Sequence, residues 1–209
     1  RLLKVDFRTF GPPMMFNNCG NMGLPLAVLA FGQAGFSAMV ALFTISNLIH
    51  FTFGTWLMDH RARFGNLLRN PMVGSTIVGF AFALTHPPMP EWMQVGIRLI
   101  GDALIPMMLL SLGVRLAEVR WSDWHLGVIG GIVCPLAGLA AALALAPLLG
   151  LDEMQRGLLV LFSVLPPAVL NFMVAEQFKQ EPGKVASIVL IGNVMAVLFV
   201  PVGLALAIR

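Results

Sequence analysis

Leu165-Pro166-Pro167-Ala168-Val169-Leu170-Asn171-Phe172 sets two adjacent prolines and an asparagine inside a strongly apolar run. The core of that phrase, Pro-Pro-x-x-x-Asn, occurs a second time as Pro12-Pro13-Met14-Met15-Phe16-Asn17. Adjacent prolines remove backbone donors and clash with the preceding turn. Both segments are therefore expected to be broken helices, with Pro13, Pro166 and Pro167 at the breaks. Hydrocarbon cannot satisfy the backbone groups that such a break exposes, so it persists only where protein or a wet cavity surrounds it. Two interrupted segments in corresponding positions of a membrane chain point to a transporter's binding site.

Composition supports the membrane setting. Of 209 residues, 58% are apolar and 11% charged, and the mean hydropathy is +0.86. These values exclude a soluble domain and predict an all-α polytopic membrane protein. About seven transmembrane helices can be laid out, roughly at 9–32, 36–58, 71–86, 92–116, 124–149, 155–177 and 185–208, the third short for a full crossing. Trp56, Trp92, Trp121 and Trp124 fall near span ends, as an aromatic belt requires. On alternate sides of these spans, Arg1, Lys4, Arg8, Arg61, Arg63, Arg69, Arg115, Arg120, Lys179 and Lys184 oppose only Arg98, Arg156 and Arg209. The positive-inside rule then places the N-terminal segment and the loops 59–70, 117–123 and 178–184 in the cytoplasm, with the C-terminus outside. The 59–70 loop reads as a basic anchor, with a short interfacial helix as the alternative.

The chain starts at Arg1 with a basic segment leading straight into a broken helix, so an N-terminal truncation is expected. Cys19 and Cys134 lack metal-ligand spacing and read as small packing residues; no metal and no cofactor is expected. The net charge of +3 is dispersed between apolar runs, which argues against nucleic acid as a partner.

The run Asn18-Cys19-Gly20-Asn21-Met22-Gly23-Leu24-Pro25-Leu26 resembles the first crossover segment of the auxin efflux carrier family of permeases. That family's phrase there is Asn, four residues, Gly, any residue, Pro, matched by Asn18, Gly23 and Pro25. Leu165 to Phe178 resembles its other crossover, Ala186 to Asn193 the last helix of bacterial members, and Pro106 with Leu112-Gly113-Val114-Arg115-Leu116 a helix ending in a Leu-Gly-x-x-Leu turn. The resemblance implies a ten-helix inverted repeat of five plus five, with two crossing broken helices and elevator-like movement of small organic anions. It implies a core unit at 8–58 and 122–208 and a scaffold unit at 71–117, with 59–70 as a cytoplasmic loop and three helices missing. A bacterial inner membrane is the expected location. The plant branch carries a proline near the position of Asn171, so plant-like auxin transport is not implied.

An organic anion at the bilayer centre needs its hydration shell replaced. Half-helix starts offer bare N–H groups, and asparagines add amide donors without charge. Asn17, Asn18, Asn21 and Asn171 are therefore the candidate substrate ligands, through side chain or main chain. Gly20, Gly23, Pro13, Pro25, Pro166 and Pro167 would shape the breaks. The plainer reading is that these asparagines cap freed backbone groups or join helices. Asn17 follows from the internal repeat and Asn18 from the family phrase; they point about 100° apart on a helix, so one of the two is expected to line the site.

Asp102 is the one acid deep inside a span and a candidate for proton or cation coupling; an intrahelical pair with Arg98 is the alternative. His50 reads as a helix–helix hydrogen bond, with a proton relay as the alternative. Expected partners are a small organic anion, a proton or cation, the lipid bilayer and, as an option, a second copy in a homodimer. Competing readings are a sodium-coupled bile-acid-type symporter and a non-transporting membrane sensor or assembly subunit. An enzyme is not expected, since neither a His-Glu-x-x-His nor a Gly-x-Ser-x-Gly phrase occurs.

Overall fold

The computed structural model describes residues 5–58, 71–85, 87–117 and 123–208. The 59–70 loop with His60 and Arg61, His86, Arg120, Trp121, and the terminal Arg1, Lys4 and Arg209 lie outside them. Nine α-helices follow one another among the described residues: α1 (Phe7–Met15), α2 (Leu24–Ile49), α3 (Thr55–Met58), α4 (Pro71–Thr85), α5 (Glu91–Ala117), α6 (Trp124–Leu145), α7 (Glu153–Ser163), α8 (Leu170–Gln177) and α9 (Pro182–Ala207). Wider π-type turns at Cys19–Gly23 and His50–Gly54 precede and follow α2. No strand occurs among the described residues, only one isolated bridge.

Among the described residues, three stretches are long and apolar enough to cross a membrane: Cys19–Met58, Trp124–Leu148 and Pro182–Ala207. The first has 40 residues, which as a straight rod would measure about 60 Å, twice a hydrocarbon core. It is instead a hairpin. Gly32 leaves helical geometry at φ 65°, ψ −158°, a conformation glycine alone adopts cheaply. Residues on either side then face each other. A Cβ on Gly23 would come 3.3 Å from Met39 Sδ, and one on Gly20 2.8 Å from the Phe43 ring. The phenyl ring of Phe16 stacks on His50. The expected separation into one span ending at 32 and another starting at 36 thus rests on a single glycine.

α6 and α9 lie unusually close because α6 offers glycines to its neighbour. A Cβ on Gly127 would sit 2.6 Å from Ser187 O, and one on Gly131 3.2 Å from Gly192 Cα. Gly138 approaches the end of α7 so closely that a Cβ would fall 2.1 Å from Ser163 O. Small residues allowing backbones to touch are the usual means of helix association where lipid supplies no hydrophobic drive. The central cluster joins Cys19, Leu24, Ala27 and Met39 of the hairpin to Leu158, Leu161 and Leu165 around α7 and to Ala196 and Val200 of α9. α7 opens with a reciprocal cap: Gln155 N donates to Asp152 Oδ1, and Asp152 N to Gln155 Oε1.

α4 spans 15 residues, about 22 Å, short for a crossing as expected. Ile77, Val78, Phe80, Phe82 and Leu84 on α4 are exposed, as are Trp92, Ile97, Leu99, Ile100, Met107 and Leu110 on α5. The π-type turn at Cys19–Gly23 is where α5 touches the core.

Candidate functional site

The two broken segments meet. Between α1 and the π-type turn the helix is interrupted at Phe16 to Asn18, with Phe16 extended; between α7 and α8 it is interrupted from Val164 to Val169. Asn17 and Pro167 form an antiparallel bridge. Asn18 N donates to Pro166 O at 2.7 Å, and Ala168 N to Phe16 O at 2.9 Å. Facing residues in a pair of this type exchange no bonds themselves. Position 167 therefore requires no N–H, and proline fits.

The prolines act differently in the two halves. Pro166 and Pro167 occupy the second break, but Pro12 and Pro13 lie inside α1 and the chain leaves the helix only at Phe16. Pro13 thus lies within α1, three residues before the chain leaves the helix. Register shifts with it. The phrase repeats at 154 positions (17 to 171), whereas the crossing repeats at 150 (17 to 167), about one helical turn less. By the crossing's offset, the counterpart of Asn171 is Asn21.

Each candidate asparagine has a distinct place. Asn171, fully buried, donates through Nδ2 to Phe16 O at 2.9 Å and to Ala168 O at 3.0 Å. Half-buried Asn17 donates to Phe162 O at 2.6 Å. Each therefore binds a carbonyl at the end of the other segment's leading helix. Asn18 donates to Asn193 Oδ1 at 2.8 Å, and Asn193 donates to Pro167 O at 3.0 Å and Val189 O at 2.7 Å. Asn21 is half-buried, and its side chain makes no hydrogen bond among the described residues. Gly20 and Gly23 fall in the π-type turn, and Pro25 is one of the first two residues of α2, where no N–H is missed.

Both trailing helices start at the crossing without a side-chain cap. Asn18 precedes the Cys19–Gly23 turn and Val169 precedes α8; neither side chain caps the turn that follows. First-turn N–H groups are the orphan donors of a helix, and they carry its positive end. Asn18 is a good capping residue by type, yet its amide goes to Asn193 instead.

Sequence reasoning gave Asn193 no role, although it links α9 to both breaks. It read Cys134 only as a packing residue, whereas its buried thiol on α6 faces Pro13 O at 3.7 Å and Leu165 O at 3.9 Å. An asparagine and a small polar thiol at interior positions of apolar spans were the available signals. Among the described residues His50 makes no helix–helix hydrogen bond, contrary to expectation. It is buried with its ring 4.0 Å from Phe16 and nearly parallel to it, while Nε2 has no partner. Asp102 and Arg98 are both exposed on α5 and form no ion pair with each other. Among the described residues no cluster of His, Cys, Asp or Glu could hold a metal. A cleft of about 310 Å³, lined by Glu153, Arg156, Gly157, Leu206 and Ala207, opens at the start of α7, a helix length from the crossing.

Comparison with known proteins identifies the family. The sequence profile of the family described as "Membrane transport protein" matches residues 64–204. A transporter of Methanocaldococcus jannaschii, uncharacterised in substrate, is 21% identical over 204 residues, covering 89% of this chain and 64% of its own length. A Rhizobium meliloti protein named, provisionally, as a malonate transporter is 27% identical over 87% of this chain and 61% of its own. Auxin efflux carrier component 3a of Oryza sativa is 26% identical over 62% of this chain and 22% of its own. The chain thus spans less than two-thirds of the length of these relatives. With two-thirds of its residues inside the family profile, the chain belongs to the membrane transport protein family, that of the auxin efflux carriers.

Proposed function

We propose that the protein is a secondary transporter that carries a small organic anion, a carboxylate in the simplest case, bound where the two broken segments cross. The observation supporting this reading is that two uncapped helix starts, at Cys19 and Leu170, meet in a mostly buried crossing. Bare N–H groups at the start of the Cys19–Gly23 turn and two positive helix ends favour a negative guest, and no lysine or arginine lies in either break to hold it too tightly. In this reading main-chain N–H groups near Gly20 and Asn21 are the ligands, with the free amide of Asn21 beside them. Asn17, Asn18 and Asn171 fix the frame through the bonds described above. Relatives named for malonate and auxin, both acids, fit a carboxylate.

The wider plan belongs to the same proposal. It comprises about seven spans of a five-plus-five inverted repeat, with a moving core at 8–58 and 122–208 and a scaffold at 71–117. The exposed apolar faces of α4 and α5 are consistent with a scaffold that meets further helices, a second copy in a homodimer, or lipid. A bacterial inner membrane, the C-terminus outside and coupling through Asp102 complete it. The test is radiolabelled malonate flux into vesicles reconstituted with the full-length protein. Asn18→Ala and Asn171→Ala should each lower flux at least about tenfold, the effect of some 1.4 kcal/mol. Undiminished flux in both variants would reject the crossing as the site.

A further inference from the structure

Helix starts account for donors at the crossing, but acceptors are left over there as well. Among the described residues, three buried side-chain polar atoms have no hydrogen-bond partner: Asn17 Oδ1, Asn171 Oδ1 and His50 Nε2. All three belong to the surroundings of Phe16. Asn17 follows it in the chain, Asn171 binds its carbonyl, and His50 stacks on its ring. The amide orientations are fixed, because each Nδ2 already faces a main-chain carbonyl that can only accept. The two free amide atoms are therefore oxygens.

Beside them lie the carbonyl ends of two helices. Phe16 closes α1 and Phe162 sits in the last turn of α7, so the negative ends of both helices point into the same crossing. Neutral amide and main-chain oxygens, with no carboxylate among them, suit a hard monovalent cation. Divalent ions of the same kind ordinarily demand ligand charge.

We infer that the crossing holds an alkali cation, with Asn17 Oδ1 and Asn171 Oδ1 as amide-oxygen ligands, beside the anion bound at the helix starts. The inference rests on the transporter reading above and places the ion that moves with the substrate at the crossing instead of at Asp102. Opposite helix ends would then hold opposite charges, so that the pair crosses the membrane nearly neutral.

Binding of ²²Na⁺ to the purified full-length protein, without any organic anion, tests the inference directly. Saturable binding is expected, displaced by unlabelled Na⁺ and not by choline, and weakened about tenfold or more in Asn17→Ala and in Asn171→Ser. Elution of each variant as a single folded species keeps the comparison sound, and Asn17→Ala alone decides if Asn171→Ser does not fold. No saturable binding to the wild type would mean that the oxygens hold an ordered water only, and would overturn the inference. Wild-type affinity in the variants would overturn it as well. Malonate flux in choline medium separates the two proposals: flux indifferent to Na⁺ removes the cation and leaves the carrier, whereas Na⁺ binding without flux of any anion removes the carrier and leaves the cation.

Discussion

Asn193→Ala should loosen the crossing without touching either broken segment. The native side chain supplies the acceptor for Asn18 Nδ2 at 2.8 Å and a donor to Pro167 O at 3.0 Å. Its third bond, to Val189 O, lies within its own helix, where the ladder already serves that carbonyl, and adds little. Two cross-segment bonds are lost and two buried groups are stranded. Stranding a buried group costs about 1–3 kcal/mol, whereas interhelical bonds in membranes average about 0.6 and reach about 1.7 kcal/mol. With Asn193 only 6% exposed, the upper membrane values apply, and the two bonds together come to roughly 2–3 kcal/mol. Reversible unfolding of the full-length protein in mixed micelles, followed by helical circular dichroism against denaturing detergent, would measure it. A double-mutant cycle with Asn18→Ala should return a coupling of about 0.5–2 kcal/mol, since the two side chains share a bond. A change below about 0.5 kcal/mol in Asn193→Ala, the scale of an ordinary surface substitution, would refute the argument that this residue binds the breaks together.

Gly138→Ala should be among the most damaging small substitutions, by about 3 kcal/mol or more, because the added carbon would meet Ser163 O at 2.1 Å. Gly96→Ala on α5, with nothing within 4 Å, should leave the melting temperature unchanged or slightly raised. Glu181 accepts hydrogen bonds from Lys184 and, at 2.6 Å, from Thr9 Oγ1, and the Lys184 bond first and the Thr9 bond second hold its carboxyl below the usual carboxylate range. A depressed folded-state value means stability that is present above the unfolded value, near pH 4.3, and lost as pH falls through the folded one. Melting curves should show that acid loss in the wild type and a smaller one in Glu181→Gln. Cys19 and Cys134, exposed by only 3% and 5%, should resist maleimide in the folded protein and react on denaturation, as read by mass shift.

Much of the fold is visible in composition and punctuation. Apolar runs of helix length locate the spans, and Gly32 separates two of them because only glycine turns that corner cheaply. The crossing is visible in the paired prolines, but its register is not. Proline forbids a helix from continuing indefinitely without saying where it stops: Pro12 and Pro13 fit within the last turns of α1, while Pro166 and Pro167 stand outside α7. The local phrase therefore aligns Asn17 with Asn171, and the hydrogen bonds between segments align Asn21 with it instead. The cross-segment bonds of Asn193 and Cys134 could not be foreseen, because their partners lie 175 and 121 positions away. Nothing local marks a side chain whose work is to join distant backbones.

The bridge between Asn17 and Pro167 also sets an order of events during synthesis. At roughly 5–20 residues per second, the partner segment appears about 8–30 s after the first one has been made. Throughout that interval Phe16 O and the Asn18 amide have no mate, in a segment too irregular to rest in lipid. The nascent chain must keep this piece sheltered, in the insertion machinery or against water, until its second half arrives. Ribosome-stalled intermediates should accordingly expose residues 16–18 to water-soluble labels until position 168 has been inserted.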